Sequence, residues 1–473
     1  MEAIMGALDW FNGIVWGPPM MVALVGTGLY VTARIAGMQF TKLGRSIKMF
    51  FGGWRGREKG EAAKGDITPF QSLTVAISGT VGNGNIAGVA TAIAAGGPGA
   101  VFWMWITALV GMATKFAEAS LAVRSRVVDV DGTILGGPFM TIERLVGSKW
   151  KWLAILFALF GAVCAFGIGN AVQTNSMALV LNEYYGIPFI ATGITLAILI
   201  GLVVVGGIKR IGRVAEYLSP WMCVIYIIGA LIVIFINIKA IPAAFGEIFK
   251  YAFTPRAAFG GFVGATVMRT MRYGVARGIF SNEAGLGTGG LSHSPTRIPI
   301  PARQGSLGFF EVFLDTIVVC SMTALVILTT GVLGTGLTST ALTARGFQST
   351  IGGAGVAVTA AGSLLFGYST LLAWYYYGSQ CGRYLFGKKV TPGAVKKFKL
   401  GYGVAWVIFA FMGGIWKVDF VWLLTDTLNG AMAIPNLISL LILGGLVGKM
   451  ARDYFIAGKE EYTPEVHIKD LIK

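Results

Sequence analysis

The chain has 473 residues, of which 55% are hydrophobic and 13% are charged, and its formal net charge is +16. A soluble domain carries about 25% charged residues, so this composition excludes a soluble globular protein and predicts an all-α polytopic membrane protein. The positive charge does not indicate nucleic acid, because the basic residues cluster in short loops between apolar stretches. The 4 scattered cysteines and 2 histidines give no metal motif and no disulfide framework.

Eleven apolar stretches are close to the roughly 20 residues that cross a bilayer. In chain order they are Pro18–Ile35, Phe70–Gly96, Phe102–Val123, Trp152–Leu181, Ile187–Gly206, Tyr217–Ile238, Gly261–Gly290, Leu307–Val332, Gly355–Tyr377, Gly401–Ile415 and Phe420–Leu446. The basic loops between them all fall on one side, which predicts a cell-membrane protein with its N-terminus outside and its C-terminus in the cytoplasm. Within the first basic loop, Thr41–Phe51 fits either a helix along the membrane surface or a solvated loop.

The second apolar stretch contains the sequence SGTVGNGNIAG, from Ser78 to Gly88. Each glycine costs about 1 kcal/mol of helix propensity relative to alanine. Non-helical backbone at membrane depth survives only where it is buried in protein or lines a polar cavity. The stretch therefore predicts a broken helix that lines a binding site, and the alternative is a glycine-rich face that lets helices pack closely.

A similar pattern, N-x-A-G-[VL]-small-T, occurs at Asn85–Thr91 and again at Asn282–Thr288. The two copies end glycine-interrupted spans that lie five spans apart, and an offset of five reverses direction across the membrane. This arrangement indicates an inverted repeat whose two broken helices meet at the site. Chance similarity among small residues is the alternative.

Broken helices supply groups that suit a zwitterion and a cation. Half-helix N-termini present N–H groups to a carboxylate, and unwound carbonyls can bind an ammonium group or Na⁺. Phe166, Asn170 and Gln173 recur at helical spacing and fit either a polar pocket or interhelical hydrogen bonds. Ser369 and Thr370 offer hydroxyl oxygens that suit Na⁺.

Ionisable residues inside the spans are candidates for proton coupling. The acids are Glu118, Glu143, Glu283, Glu311, Asp315 and Asp426. Glu283 lies within the second glycine-interrupted stretch and is the most suggestive, although pairing with Arg277 or another arginine is the preferred structural interpretation. Arg269 and Arg272 are expected to face a watery vestibule or head groups.

The stretch GGPGAVFWMWITALVG, from Gly96 to Gly111, resembles the signature of the alanine or glycine:cation symporters, the sodium:alanine symporter family. SNEAGLG and GNIAGVATAI also resemble stretches of this family. The resemblance implies a LeuT-type fold of the amino acid-polyamine-organocation superfamily, with a 5+5 inverted repeat, one extra N-terminal helix and about 11 transmembrane helices. It implies Na⁺-coupled uptake of alanine or glycine by alternating access, with no enzymatic activity, in a protein that functions as a monomer.

The resemblance also implies a division of the chain. The parts are residues 1–69 with the extra helix and a basic cytoplasmic loop, 70–238 as the first repeat, 239–261 as an extracellular loop, 262–446 as the second repeat, and 447–473 as a cytoplasmic tail.

Positions carried over from this fold, together with residue types, indicate the binding residues. For the substrate they are Ser78, Gly79, Thr80, Gly82, Asn83, Gly84, Phe166, Asn170, Gln173, Ile279, Phe280, Ser281, Asn282 and Trp374. For Na⁺ they are Thr80, Val81, Asn83, Phe366, Ser369 and Thr370. The alternatives are a proton-coupled amino acid transporter or an ion channel; a channel fits two broken helices in one pseudo-symmetric chain less well.

Overall fold

The computed structural model of the chain describes residues 6, 10, 12–13, 15–54, 65–256, 265–416 and 418–471. These residues are mostly α-helical. The α-helices are α1 (Pro18–Arg34), α2 (Met38–Thr41), α3 (Leu43–Trp54), α4 (Pro69–Thr80), α5 (Val89–Gly96), α6 (Ala100–Ser125), α7 (Pro138–Thr141), α8 (Lys151–Phe166), α9 (Val172–Tyr185), α10 (Phe189–Val204), α11 (Gly207–Ile236), α12 (Ile241–Phe253), α13 (Val267–Asn282), α14 (Thr288–His293), α15 (Pro301–Val312), α16 (Ser321–Thr329), α17 (Ser339–Ile351), α18 (Gly353–Leu385), α19 (Pro392–Ile415) and α20 (Val418–Phe455).

Short elements connect or interrupt these helices. π-Helical segments are Gly84–Gly88, Ile142–Val146, Gly167–Ala171 and Phe313–Cys320, and 3₁₀ segments are Ser148–Trp150, Ile238–Ala240, Val332–Thr335 and Ile468–Leu471. Two strands, β1 (Val127–Val128) and β2 (Ile134–Leu135), form an antiparallel hairpin that pairs Val127 with Leu135. The sequence indicated only a basic loop at this hairpin.

Seven helical stretches within the described ranges are long and apolar enough to cross a membrane. They are Ala100–Ser125, Ser148–Tyr185, Gly207–Ile236, Pro301–Thr329, Gly353–Leu385, Pro392–Ile415 and Thr425–Phe455. The other predicted spans correspond to the shorter helices α1 and α10 and to the two interrupted pairs α4–α5 and α13–α14. The number eleven stays a prediction.

The first predicted broken helix is interrupted where the glycines are densest. Thr68 is the N-cap of α4 and forms a capping box with Gln71, and Pro69 fits the first helical turn. The helix ends at Thr80, residues 81–83 are non-helical, and the π-helical turn Gly84–Gly88 leads into α5. The predicted break is confirmed, and we call residues 81–83 the first break.

The second break comprises residues 283–287, between α13 and α14. Glu283 has a φ of 59°, and Gly285 and Gly287 have φ of 97° and 87°, left-handed conformations that end an α-helix. Ile279 to Asn282 were predicted to lie at the break itself. They form the last turn of α13, because the chain leaves the helix only where Glu283 and the glycines turn it.

Helices that are five spans apart pack against each other. α6 packs on α15, α8 on α18, and α10 on α19, and the broken helices meet where α5 packs on α13. This pairing is what a pseudo-two-fold axis between two five-helix repeats produces. The domain boundaries given by the sequence stay predictions.

Two helices lie outside this paired core. α3 includes most of the basic segment Thr41–Phe51, so that segment is helical. The sequence did not predict α17, which packs on α18 and covers the π-helical turn Gly84–Gly88. Thr343 of α17 donates a hydrogen bond of 3.0 Å to the carbonyl of Ile86 in that turn.

Candidate substrate and sodium site

Side chains from other helices replace the hydrogen bonds that α4 loses at the first break. The backbone N–H of Asn83 donates to Gln173 Oε1 of α9 at 2.9 Å. The Asn83 amide exchanges hydrogen bonds with Ser363 of α18, at 2.7 Å with its hydroxyl and 3.2 Å with its carbonyl. The N–H of Gly82 donates to Asn85 Oδ1 at 2.9 Å. α9 and α18 therefore fix the shape of the first break.

Gly82 and Gly84 are points where neighbouring helices approach the backbone closely. A Cβ on Gly82 would lie 2.5 Å from Thr370 Oγ1 and 3.2 Å from Gln173 Oε1. A Cβ on Gly84 would lie 3.1 Å from the Phe280 ring. The structure thus brings predicted residues of four helical segments together, and all of them are buried.

Oxygen atoms of α4 and α18 cluster beside the first break. Thr370 Oγ1 donates to the carbonyl of Ser78 at 2.9 Å, and Ser369 Oγ donates to the carbonyl of Phe366 at 2.9 Å. Ser78 Oγ lies 2.6 Å from Ser219 Oγ of α11. Oxygen donors of this kind suit a hard cation. The Ser78 carbonyl was missed as a possible sodium ligand, because only tertiary packing places it opposite Thr370.

The remaining residues at the end of α4 contribute mainly backbone. Gly79 faces Tyr377, whose hydroxyl would lie 2.6 Å from a Cβ at that position. The Thr80 hydroxyl donates to the carbonyl of Ala76 in its own helix at 3.1 Å. Val81 is buried in an apolar cluster. The Thr80 hydroxyl is therefore already satisfied, and the side chain of Val81 offers no polar atom.

Asp315 connects the two broken helices. Its carboxylate accepts hydrogen bonds from Asn85 Nδ2 at 2.6 Å and from Ser281 Oγ at 3.0 Å. Thr316 Oγ1 donates to the same carboxylate at 2.6 Å and accepts from Asn282 Nδ2 at 3.2 Å. The sequence marked Asp315 only as an intramembrane acid, and the fold makes it the link between the predicted residues Ser281 and Asn282 and the first repeat.

Phe166 and Asn170 do not reach the first break. The Phe166 ring packs against Tyr402, Trp406 and Phe409 of α19, with centroids 5.0, 5.3 and 4.8 Å away. Asn170 Nδ2 donates to the carbonyl of Trp406 at 2.9 Å. Both side chains lie on the face of their span that packs against α19. For Asn170 the structure supports interhelical hydrogen bonding, which the sequence left open.

Among the described residues Glu283 pairs with neither Arg277 nor another arginine but lies 4.0 Å from Lys115, so the preferred interpretation of Glu283 is wrong. Arg277 binds Asp426 of α20 in a bidentate ion pair, at 2.8 and 2.7 Å, and its guanidinium carbon lies 5.6 Å from the Phe280 ring centroid. Glu283 Oε1 accepts a hydrogen bond from Trp374 Nε1 at 2.7 Å. Trp374 therefore binds the second break rather than the first.

The other two arginines of α13 lie nearer its N-terminus. Arg269 is exposed, and Arg272 is half-buried and donates to Asn12 Oδ1 at 3.1 Å. Whether these two side chains face water, head groups or lipid stays a prediction. Their helix becomes fully buried only in its last two turns, which carry Arg277 and Phe280.

The backbone N–H groups freed at the second break already have an acceptor. Glu118 Oε1 of α6 accepts from the N–H of Gly285 at 2.9 Å and of Gly287 at 3.1 Å. Asn436 Nδ2 of α20 donates to the same oxygen at 2.8 Å. An internal carboxylate thus occupies the anion position of this half-helix end.

Two half-helix pairs at corresponding positions of two inverted five-helix repeats define a LeuT-type secondary transporter. Solved structures with this architecture include MhsT in complex with L-phenylalanine, with a TM-score of 0.56 at 14% identity over 83% of this chain and 99% of that chain. The substrate-bound outward-open state of a Na⁺-coupled sialic acid symporter gives a TM-score of 0.54 at 15% identity, covering 92% of this chain and 86% of that chain. At these identities the likeness shows the fold.

The profile of the sodium:alanine symporter family matches residues 1–468, and the chain belongs to this family. It is 45% identical to the sodium/alanine symporter AgcS of Methanococcus maripaludis over 92% of this chain and 94% of that protein. It is 36% identical to the probable sodium/glutamine symporter GlnT of Bacillus subtilis, over 98% and 93% respectively. The chain is therefore a multi-pass membrane transporter, not an enzyme, and it couples Na⁺ to amino acid symport.

Proposed function

We propose that this chain takes up alanine and glycine together with Na⁺, by alternating access. The observation that carries the proposal is the confinement of Gly82, which Thr370 and Gln173 approach so closely that even one added Cβ would collide with the Thr370 hydroxyl. Space limited in this way suits an amino acid whose side chain is a methyl group or a hydrogen. The similarity to AgcS, a protein named for alanine, supports the same substrate.

In this proposal the first break binds the backbone of the amino acid. The substrate carboxylate faces N–H groups of residues 82–84, and its ammonium group faces carbonyl oxygens at the ends of α4 and α13. Gln173 and Asn83 fix the shape of the break, and Phe280 and Ser281 close it from the side of α13. Ser78, Gly79, Thr80, Ile279 and Asn282 contribute through the backbone turns that carry these groups.

We place Na⁺ between α4 and α18. The ligands in this proposal are the hydroxyls of Ser369 and Thr370 with the carbonyls of Ser78, Val81 and Phe366. The Thr370 hydroxyl now donates to the Ser78 carbonyl. An ion that binds there would turn both oxygens toward itself, and this differential contact is what lets Na⁺ favour one conformation.

The proposed orientation has the N-terminus outside and the C-terminus in the cytoplasm, with the monomer as the transporting unit. Support for the orientation comes from the basic loops, because the order of the predicted spans places all of them on the same side of the membrane as the C-terminus.

The test is uptake of radiolabelled alanine into liposomes that contain the purified protein. We expect uptake under an inward Na⁺ gradient, competition by glycine, and much weaker competition by glutamine. Collapsing the Na⁺ gradient with an ionophore should abolish accumulation. Accumulation that follows a proton gradient instead, or a Na⁺ current without alanine, would overturn the proposal in favour of a proton-coupled transporter or a channel.

A further inference from the structure

A cluster of charged side chains surrounds the second break and takes no part in the proposed substrate or sodium site. Lys115 and Glu118 come from α6, Glu283 from the break, His293 from α14, and Glu311 from α15. All five are at most 3% exposed. Lys115 Nζ lies 3.0 Å from Glu311 Oε1 and 4.0 Å from Glu283 Oε2.

His293 joins this cluster through hydrogen bonds on both ring nitrogens. Gln304 Nε2 lies 2.7 Å from His293 Nδ1, so an amide N–H faces that nitrogen. His293 Nε2 lies 3.1 Å from Glu311 Oε2 and is placed to donate to it.

The charges of the cluster do not balance if every carboxyl group is ionised. Glu118, Glu283 and Glu311 would together carry three negative charges against the single positive charge of Lys115. An uncompensated charge in a buried, low-dielectric position costs several kcal/mol, and a carboxyl group in that position binds a proton instead. At least one of the three is therefore expected to be protonated.

The contacts of the three carboxyl groups single out Glu283. Glu118 accepts three N–H groups on Oε1, which stabilise its anion, although its Oε2 has no hydrogen-bond partner. Glu311 has Lys115 on one oxygen and His293 on the other. Glu283 has the neutral Trp374 N–H on Oε1, while Oε2 forms no hydrogen bond and lies 4.0 Å from the Lys115 ammonium group, and the Thr288 hydroxyl is a further neutral neighbour of this carboxyl group.

We propose that Glu283 is a proton-binding site. The proton is bound while the second break between α13 and α14 contacts Trp374 of α18, which we call the seated conformation, and it is released when this contact opens toward the cytoplasm. The ligand is a proton rather than a second metal ion, because the Lys115 ammonium already holds the cation position beside the carboxylates. Among the described residues no group of three or more acidic, histidine or cysteine side chains could hold a metal.

The groups that face Glu283 come from every packed element. They are Lys115 on α6, Cys164 on α8, Thr288 on α14, Glu311 on α15, and Trp374 and Tyr377 on α18, and the cluster also holds Glu118 and His293. Lys115 is the only one that carries a fixed positive charge. Loss of the proton leaves a second buried anion beside Glu311, so a higher pH opposes the seated conformation. The link between this protonation step and alanine uptake rests on the proposed function, whereas the proton site itself does not.

The substrate-free protein in detergent gives the first test. The variant Glu283→Gln keeps the oxygen that accepts from Trp374 and cannot ionise. We expect the melting temperature of the wild type to fall relative to this variant as the pH rises from about 6 to about 9, because the carboxyl group is protonated when folded and ionised when unfolded. Glu183→Gln, an exposed control, should keep the wild-type profile. Parallel profiles of the wild type and Glu283→Gln would overturn the proposal.

Uptake gives the second test. We expect Na⁺-driven alanine uptake by the wild type to change with internal pH, by up to about tenfold per pH unit for one proton, and uptake by Glu283→Gln to be independent of it. Wild-type uptake that does not respond to internal pH would overturn the link to transport. Absence of Na⁺-driven uptake at all pH values would instead overturn the proposed function, and the melting profiles would still decide the proton site.

Infrared spectroscopy tests the site if Glu283→Gln does not fold. The wild type at neutral pH should show the carbonyl stretch of a protonated carboxylic acid, and Trp374→Phe should shift this band, because it removes the hydrogen bond to Glu283 Oε1. A spectrum without such a band, or a band that Trp374→Phe leaves unchanged, would overturn the proposal.

Discussion

Thr370 donates a hydrogen bond of 2.9 Å to the carbonyl oxygen of Ser78, so one hydroxyl of α18 holds the last turn of α4 beside the first break. The two residues are 292 positions apart in the chain and belong to opposite repeats. This contact is the point where the proposed sodium ion would join the repeats.

Removing the hydroxyls of α18 should therefore weaken the response to Na⁺. We expect Thr370→Val to raise the Na⁺ concentration for half-maximal uptake by about tenfold or more, since a lost ligand or charge-assisted contact is worth about 1.5–3 kcal/mol. Thr370→Ser keeps the hydroxyl and should stay near the wild type. An unchanged Na⁺ dependence in Thr370→Val and Ser369→Ala, with altered alanine affinity, would place these residues in the substrate site instead.

Gly82 should tolerate no side chain. In Gly82→Ala the new Cβ would lie 2.5 Å from Thr370 Oγ1, and we expect loss of alanine binding measured by calorimetry. Gly26→Ala is the matched control, because a Cβ at that helical glycine meets nothing within 4 Å and alanine favours a helix. Wild-type alanine affinity in Gly82→Ala would show that the first break does not contact the substrate.

The ion pair of Arg277 with Asp426 should control the connection of α13 with α20. The two terminal nitrogens of the Arg277 guanidinium each contact one carboxylate oxygen of Asp426, a geometry that lysine cannot reproduce. We expect Arg277→Lys and Asp426→Asn each to slow uptake, and the double variant to be no slower than the worse single variant. The measurement is a double-mutant cycle on the initial uptake rate, and strictly multiplicative effects would show that the two residues act independently.

Phe166 should affect stability rather than substrate choice. Its ring packs among three aromatic rings of α19, so Phe166→Ala should destabilise the protein by about 3–5 kcal/mol, visible as a lower melting temperature. Phe166→Leu keeps most of the apolar volume and should leave alanine affinity and the competition pattern unchanged. A changed substrate preference in Phe166→Leu would return this residue to the binding site.

Local sequence was enough to predict the first break and the pairing of repeats. Glycine spacing in Ser78–Gly88 weakens a helix wherever it lies, and a five-span offset reverses direction in any membrane. The second break moved by a few residues, because helix propensity does not distinguish Asn282, which stays helical, from Glu283, which takes a left-handed conformation before Gly285. α17 was not predicted, because its segment lies between two predicted spans and is not one of the long apolar stretches.

Side-chain directions were not accessible to the sequence. Gln173 and Phe166 both lie on the third span of the first repeat, yet Gln173 Oε1 accepts a hydrogen bond from the N–H of Asn83 in the first break, while Phe166 packs on α19. The π-helical turn Gly167–Ala171 lies between them, and a π-turn changes the angular position of everything that follows it. A reading based on regular helical spacing therefore placed both residues on one face.

The sequence by itself determined that this protein spans a membrane, where its helices break and which family it resembles, because apolar length, glycine content and signature residues are local properties of the chain. Only the tertiary structure decided which partner each polar group has: Thr370 with Ser78, Arg277 with Asp426, and Glu283 with Trp374. Inside a bilayer a buried polar group has no water to bind and needs a partner within the protein, and these three partners come from helices that lie 91 to 292 residues away in the chain.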